Sequence, residues 1–503
     1  MLNRWQSWLW LGAVLALSFL LRTHHAAVPL VDTSDWRQTD TAAIAYFYYH
    51  DGIRLLHPQL WHDGPGPDYT QLELQITPAI TALLAHLFGF GSVLLHLVPD
   101  ALFTLTVLPL WALVSRHLGQ GVARFTVLAY VLLPLGVFFG RVFQPESAQV
   151  FFGVFGLWVV DRWALRRGAL RYMAAVAVLA LAVLAKLPNG MILPAAAALA
   201  LEDRLWDWRA ILRPKPLATV AGLTLLPAAA GAGYTLLQAH VSAGGTHYVN
   251  FIVTSLADPY IAGTSNLARF AWRDVLGMAI TPAGLAAAVL GAVVLARRRA
   301  PWVWAWGLGI LLYALVVLRA IRFQYYLMPL LPWLGLMMGL GLNHLAETLG
   351  KLAPRARLLP RLAAVSLLVS LLCGGLFQIR GFWPPYMPWY TAGVALNRTL
   401  PPNTTVILTG TFNPTLLYYA QRHGYRVNPL TMSELQADIQ GGARFVLDQG
   451  GIDACMRAYL NRYFTQQDVG GVTVYRLYTP APPPPSLPPY GPVPADATGN
   501  CAK

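Results

Sequence analysis

Charge is scarce in this chain of 503 residues: Asp, Glu, Lys and Arg make up 12%, against the roughly 25% of an average soluble domain. That shortage excludes an ordinary water-soluble globule. Cysteine is scarcer still. Cys373, Cys455 and Cys501 have no metal-ligand spacing and cannot supply a disulfide framework. Cys373 falls in an apolar run; Cys455 and Cys501 are read as free thiols, with pairing open if both lie in an oxidising compartment. There is no Gly-rich phosphate loop, no Asp-x-Asp pair of the kind that holds a divalent ion, and no internal repeat. No cofactor and no metal site are therefore expected, although His24, His25, His50, His57 and His62 crowd one loop.

What the chain has in abundance is apolar length. Hydrophobic residues make up 56% and the mean hydropathy is +0.49. Runs long enough to cross a bilayer lie near 7–21, 98–115, 122–140, 147–164, 172–187, 189–202, 217–238, 275–296, 301–318, 326–346 and 362–378. The expected fold class is a polytopic α-helical membrane protein with about eleven spans. The run at 7–21 has the outline of a signal peptide, but an uncleaved anchor is the preferred reading. Runs five and six are separated by Pro188 and Asn189, and one broken element is the alternative to two spans.

The formal charge of +14 invites a nucleic-acid partner, but its distribution excludes that. With the N-terminus inside, 18 of the 36 basic residues fall in cytoplasmic loops, and nine lie on the other face before residue 379. This is the positive-inside bias of a plasma or inner membrane protein. It places the first loop, 22–97, and everything after residue 379 outside the cytoplasm. A second loop, about 239–274, carries His247, Tyr248, Asn250, Asp258, Tyr260 and Arg269. The expected domains are a membrane domain over 1–378, a small α/β domain over 379–479 and a Pro-rich tail over 480–503. Within the α/β domain, strands are expected near 406–409, 425–428, 445–448 and 472–477, with helices near 414–423, 433–440 and 452–463.

Ionisable groups that persist at helix ends and in loops beside a membrane are candidates for chemistry. In the first loop, Asp35, Arg37 and Asp40 open an amphipathic helix expected over 39–50, which Ser34 or Asp35 can cap. Glu73 follows a Gly-Pro-Gly-Pro turn. The structural alternative is an ordinary Arg37–Asp40 helix pair among solvated acids. Arg141 and Glu146 flank the start of span four, Lys186 ends span five, and Arg319 and Arg322 precede Tyr325 and Tyr326 at span ten. Any one cation there can be a snorkelling anchor or a helix cap. Four such sites opposite the positive-inside bias suggest a shared purpose. The two tyrosines suit an interfacial aromatic belt.

In order and spacing, Asp35-Trp36-Arg37 through Asp40, Glu73, Pro145-Glu146, Lys186 and the stretch from Arg322 to Pro332 resemble the GT-C polyprenyl-phosphate glycosyltransferases. That group includes the dolichyl-phosphate-mannose protein mannosyltransferases and the bacterial lipid A aminoarabinose transferases. The resemblance covers roughly residues 5–350, and the α/β domain looks like that of bacterial members. It implies a GT-C fold and transfer of a sugar from a polyprenyl-phosphate donor to a lipid, polysaccharide or protein acceptor. Asp35 matches the general base, with Asp40 in reserve, and Glu73 matches the second acid. Arg37, Lys186 and Arg322, with Arg141, would face the lipid phosphate; Glu146 would orient the first loop, and Tyr325 would line the site. The family's Glu-Lys-Pro variant reads Glu-Leu-Gln here, so one phosphate contact is missing. Alternatives are a transporter, against which the acids lie in loops and no halves are evident, and a non-catalytic assembly protein, against which Asp35 stands intact.

Overall fold

The computed structural model describes residues 4–202, 208–241, 264–320, 322–352, 358–411 and 413–477. Most of the second loop, including His247, Tyr248, Asn250, Asp258 and Tyr260, lies outside the described residues, as do the 480–503 tail and Cys501. The chain divides into two units: residues 4–27, 71–240 and 264–383 form one, and 28–70 with 384–477 form the other.

The first unit is helical, as a series of apolar runs punctuated by Pro and Gly requires. Among the described residues, six helices are long and apolar enough to cross a membrane: Ser92–Leu118, Glu146–Leu165, Pro214–Val241, Pro301–Arg319, Gln324–Leu352 and Leu362–Phe382. A further pair, Leu267–Ile280 and Pro282–Ala296, is bent by 76° at its break. Four apolar helices are shorter: Ile76–Phe88, Gln120–Leu132, Ala169–Ala185 and Leu187–Ala200.

Proline explains why the eleven apolar runs do not become eleven long helices. A prolyl ring removes an N–H and pushes the preceding residue out of the helical region. The run at 122–140 accordingly splits at Leu133, whose ψ is 125° before Pro134. The run at 172–202 splits at Lys186, where the backbone is extended before a 3-10 turn over Leu187–Ile192. Two shorter apolar helices, Ala169–Ala185 and Leu187–Ala200, stand on either side of Lys186.

Small residues let these helices approach closely, as they do in membrane bundles. A side chain on Gly291 would collide with the Met337 carbonyl, and one on Gly341 with that of Ala287. The Pro282–Ala296 and Leu331–Leu352 helices therefore touch backbone to backbone.

The second unit is α/β. Strands β3 (Thr405–Thr409), β4 (Gly424–Val427), β5 (Ala443–Asp448), β6 (Thr465–Val469) and β7 (Val472–Arg476) form a five-stranded sheet in the order β4-β3-β5-β7-β6. The first three are parallel, linked by helices Thr415–Ala420 and Met432–Gln440; β7 and β6 run antiparallel as a hairpin. Ile407, Leu435, Val446, Leu460 and Tyr475 fill its core.

The first loop belongs to this unit. Its helix Asp35–Asp51 is followed by the short pair β1 (Gln59–Leu60) and β2 (Asp68–Tyr69). The chain then adds to the free edge of β4: Gly424 N–H donates to the Trp61 carbonyl at 2.9 Å, and Asp63 N–H to that of Gly424 at 3.0 Å. Tyr386 N–H donates to the Val31 carbonyl at 2.7 Å. An edge that would otherwise expose unpaired backbone is thereby covered.

Two expectations need correction. Ser34 does not cap the Asp35–Asp51 helix through its side chain; it sits at φ 69° as the chain turns into the helix. Cys455 is disulfide-bonded rather than a free thiol, whereas Cys373 is free.

Candidate active site

In the helical unit the sequence candidates gather where helices break. The buried turn after Phe139 leads into Glu146–Leu165, with Glu146 in its first turn, where the helix dipole favours an anion. Lys186 stands at the break before Pro188 and donates through Nζ to Glu146 Oε1. Both side chains are almost wholly withdrawn from solvent. The ammonium also lies 4.4 Å from the Tyr326 ring centroid and 5.7 Å from that of Tyr325, within cation–π range. Tyr326 is itself fixed, because the Tyr313 hydroxyl donates to its carbonyl at 2.7 Å.

Arg141 is fully buried. Its guanidinium lies 4.7 Å from the Trp383 ring and 5.1 Å from the Phe138 ring, with His96 Nδ1 at 3.3 Å. Phe139 connects this group to Tyr325, their rings 6.0 Å apart. Glu73 sits on a segment laced to two helices. Leu74 N–H donates to the Leu184 carbonyl at 2.9 Å, and Leu72 N–H to Gln238 Oε1 at 2.9 Å. Glu73 lines a small cavity with Leu184, Leu187, Tyr234 and Thr235. Arg322 donates through Nε to the Leu318 carbonyl at 2.7 Å.

Asp35, Arg37 and Asp40 belong to the second unit. Asp35 opens its helix and is partly exposed. Its Oδ1 accepts from the Trp36 N–H at 2.8 Å and its Oδ2 from Asn413 Nδ2 at 2.9 Å. Burial raises its pKa above the usual aspartate value, and the hydrogen bonds from Asn413, Trp36 and Thr415 oppose that rise. Such a carboxylate holds a proton more tightly than one in water.

Asp40 is buried and bonded to His62 Nε2 at 3.0 Å. His62 Nδ1 lies 3.1 Å from Asp63, which also receives Arg426 at 3.0 Å. Burial alone would lower the His62 pKa, but Asp40 and Asp63 outweigh it and bring it up to about 9. The imidazolium is thus charged at neutral pH, and Asp40 is committed to it.

Sequence reasoning missed Asn413 and His62 as partners of the two helix acids. The Asn413-Pro414 pair after a strand is a turn signal, and that was the trace available for Asn413. His62 was hidden in a crowd of loop histidines.

Residues 76–231 match the family model described as dolichyl-phosphate-mannose-protein mannosyltransferase. Comparison of the sequence with curated proteins returns no significant match. Among solved structures, ArnT from Cupriavidus metallidurans bound to undecaprenyl phosphate is similar with a TM-score of 0.58 at 12% identity, over 94% of this chain and 98% of that one. Its apo form gives a TM-score of 0.60 at 14% identity, over 93% and 97%. The archaeal oligosaccharyltransferase AglB from Archaeoglobus fulgidus, in complex with an inhibitory peptide and a dolichol-phosphate, gives 0.56 at 11% identity, over 94% and 74%. The chain has their polytopic GT-C fold. In that fold, and over the matched segment 76–231, which contains both Glu146 and Lys186, the chain is similar to the dolichyl-phosphate-mannose-protein mannosyltransferases and to ArnT.

Proposed function

We propose that this protein moves a sugar from a polyprenyl monophosphate carrier to an acceptor hydroxyl on the extracytoplasmic face of the plasma or inner membrane, with Asp35 as general base. The acceptor is a lipid, a polysaccharide or a protein. ArnT is seen with undecaprenyl phosphate and AglB with a dolichol-phosphate, which supports a lipid phosphate as the carrier here.

The observation that carries this reading is the state of Asp35. Among the described residues it is committed to no cation, it is partly open to solvent, and burial has made it more basic than a free aspartate. Asp40 lacks this freedom because His62 holds it. In the reaction, the acceptor oxygen bonds to the anomeric carbon as its proton passes to Asp35. The bond from that carbon to the phosphate oxygen breaks with its electron pair, and polyprenyl monophosphate leaves. A single displacement of this kind inverts the anomeric centre.

The leaving phosphate needs cations in a partly dry setting. Arg37 and Arg322 are assigned to it. Lys186, already paired with Glu146, would share its charge, while Arg141 supports the wall behind and Glu73 and Tyr325 help to shape the donor side. The test is turnover by purified protein in detergent with a synthetic polyprenyl-phosphate sugar, compared with the nucleotide sugar alone. Transfer from the lipid donor alone is expected. Turnover of the nucleotide sugar without a lipid carrier would overturn the donor class.

A further inference from the structure

We propose that Asn413 is a positioning residue for Asp35: from the loop after β3 it holds the carboxylate in place for proton transfer. The inference rests on the reading of Asp35 as the base. The two residues are 378 positions apart in sequence, and both lie in the α/β unit.

The orientation of the Asn413 amide follows from what surrounds it. Its Oδ1 accepts from the Thr415 N–H at 3.0 Å and from the Thr415 hydroxyl at 2.6 Å. This is an Asx turn just ahead of helix Thr415–Ala420, whose N-cap position is taken by Pro414. An amide oxygen fixed by two donors leaves Nδ2, which can only donate, facing Asp35 Oδ2 at 2.9 Å. One side chain thus does two separable things. The oxygen fixes the turn into a helix, and the nitrogen holds the acid.

The groups acting on the Asp35 carboxyl are the Asn413 amide, the Trp36 N–H and the Thr415 hydroxyl, all uncharged. The adjoining helix Thr415–Ala420 also carries Tyr418 and Tyr419, whose hydroxyls burial pushes further above their ordinary pKa. The Asp35 helix itself adds Arg37 and Asp40, and Asp40 faces His62. His62 keeps its proton up to about 9 and the two tyrosine hydroxyls keep theirs, so none of these three changes charge as Asp35 ionises. A donor to the ionised carboxylate favours that form, so its removal moves Asp35 toward the protonated form at a given pH.

Asn413→Asp separates the two tasks, because aspartate keeps the turn-forming oxygen but, once ionised, cannot donate and repels Asp35. With the lipid donor, the acidic limb of the pH profile of kcat/KM should move up by about one unit or more. The donor KM and the Tm should stay near wild type. Asn413→Ala should move the limb the same way by less and lower the Tm as well, since the two bonds to Thr415 are also lost.

A second readout needs no turnover. The rate of carbodiimide modification of Asp35, followed by peptide mass spectrometry across pH, should show its midpoint moving up in both variants. A wild-type limb and a wild-type modification midpoint in both would overturn the inference and leave Asn413 a turn residue. If Asp35→Asn still transfers sugar, the base reading fails instead, and the modification midpoints continue to report whether Asn413 holds the carboxylate.

Discussion

Lys186 and Glu146 form an ion pair with side-chain exposures of 2% and 1%, at a point where two helices of the membrane unit meet. Breaking a buried pair from one side leaves an uncompensated charge, which costs about 3–5 kcal/mol. Lys186→Met should therefore destabilise the protein by about that much. Adding Glu146→Gln to Lys186→Met should recover part of the loss, giving a coupling above about 1 kcal/mol in a double-mutant cycle of unfolding in detergent. Additive single effects would mean that the two groups do not depend on each other.

His62 makes stability depend on pH in a defined direction. Its pKa rises from 6.5 to about 9 in the folded protein, as burial is outweighed by Asp40 and Asp63. A raised pKa gives stability that is fully present below 6.5 and lost as pH climbs through about 9, on the order of 2–3 kcal/mol for this buried group. Denaturation curves across pH 6 to 10, taken as roughly spanning that window, should fall for wild type. They should be nearly flat for His62→Gln. Parallel curves would contradict the network. The Asp63 pKa is depressed, because His62 and Arg426 outweigh the opposing effect of burial. Its contribution is therefore present above the ordinary aspartate range and lost in acid.

Arg22 works on backbone rather than on substrate. It is fully buried at the end of helix Arg4–Thr23 and donates to the carbonyls of Ser18, Val131 and Gly136. The Val131 carbonyl lies in the last turn of Gln120–Leu132, where the break at Pro134 removes helical partners. Arg22→Met should cost about 2–4 kcal/mol, since it strands buried acceptors where no water competes. Arg22→Lys should restore only part of this. Thermal unfolding of the three proteins decides the matter, and equal stability would remove Arg22 from the scaffold.

The donor assignment for Arg37 and Arg322 predicts loss without abolition. Each charge-assisted contact to a phosphate contributes on the order of 1.5–3 kcal/mol. Arg37→Ala or Arg322→Ala should thus lower kcat/KM for the lipid donor by roughly one to two orders of magnitude, with Lys between Ala and wild type. Unchanged lipid-donor kinetics in both alanine variants would remove these arginines from the site.

What the sequence made legible, and what it hid, follows from the range over which each signal acts. Apolar runs are local, so membrane character was plain, and Pro188 foretold the break beside Lys186. Alternation placed four strands of the α/β unit within one or two residues. It missed β6, because Thr465, Gln466, Gln467 and Asp468 are all exposed and leave no buried face to read. It also missed helix Met387–Thr399. The contacts between Asp35 and Asn413, and between Asp40 and His62, arise when segments apart in sequence meet within the α/β unit. No periodicity encodes them. The reading of Asp35 as the base came from a motif resemblance, and the geometry supplied the reason to prefer it to Asp40.

The central claim is tested most directly by single-turnover transfer from a polyprenyl-phosphate sugar in detergent, comparing wild type with Asp35→Asn and Asp40→Asn. Asp35→Asn keeps the size of the side chain and removes the proton acceptor. It should fold, insert and bind the lipid donor, while transfer falls by about two to four orders of magnitude. Asp40→Asn should lose less, through a weakened bond to His62. Equal transfer by Asp35→Asn and wild type would contradict the account, and a deeper loss in Asp40→Asn would move the base to Asp40.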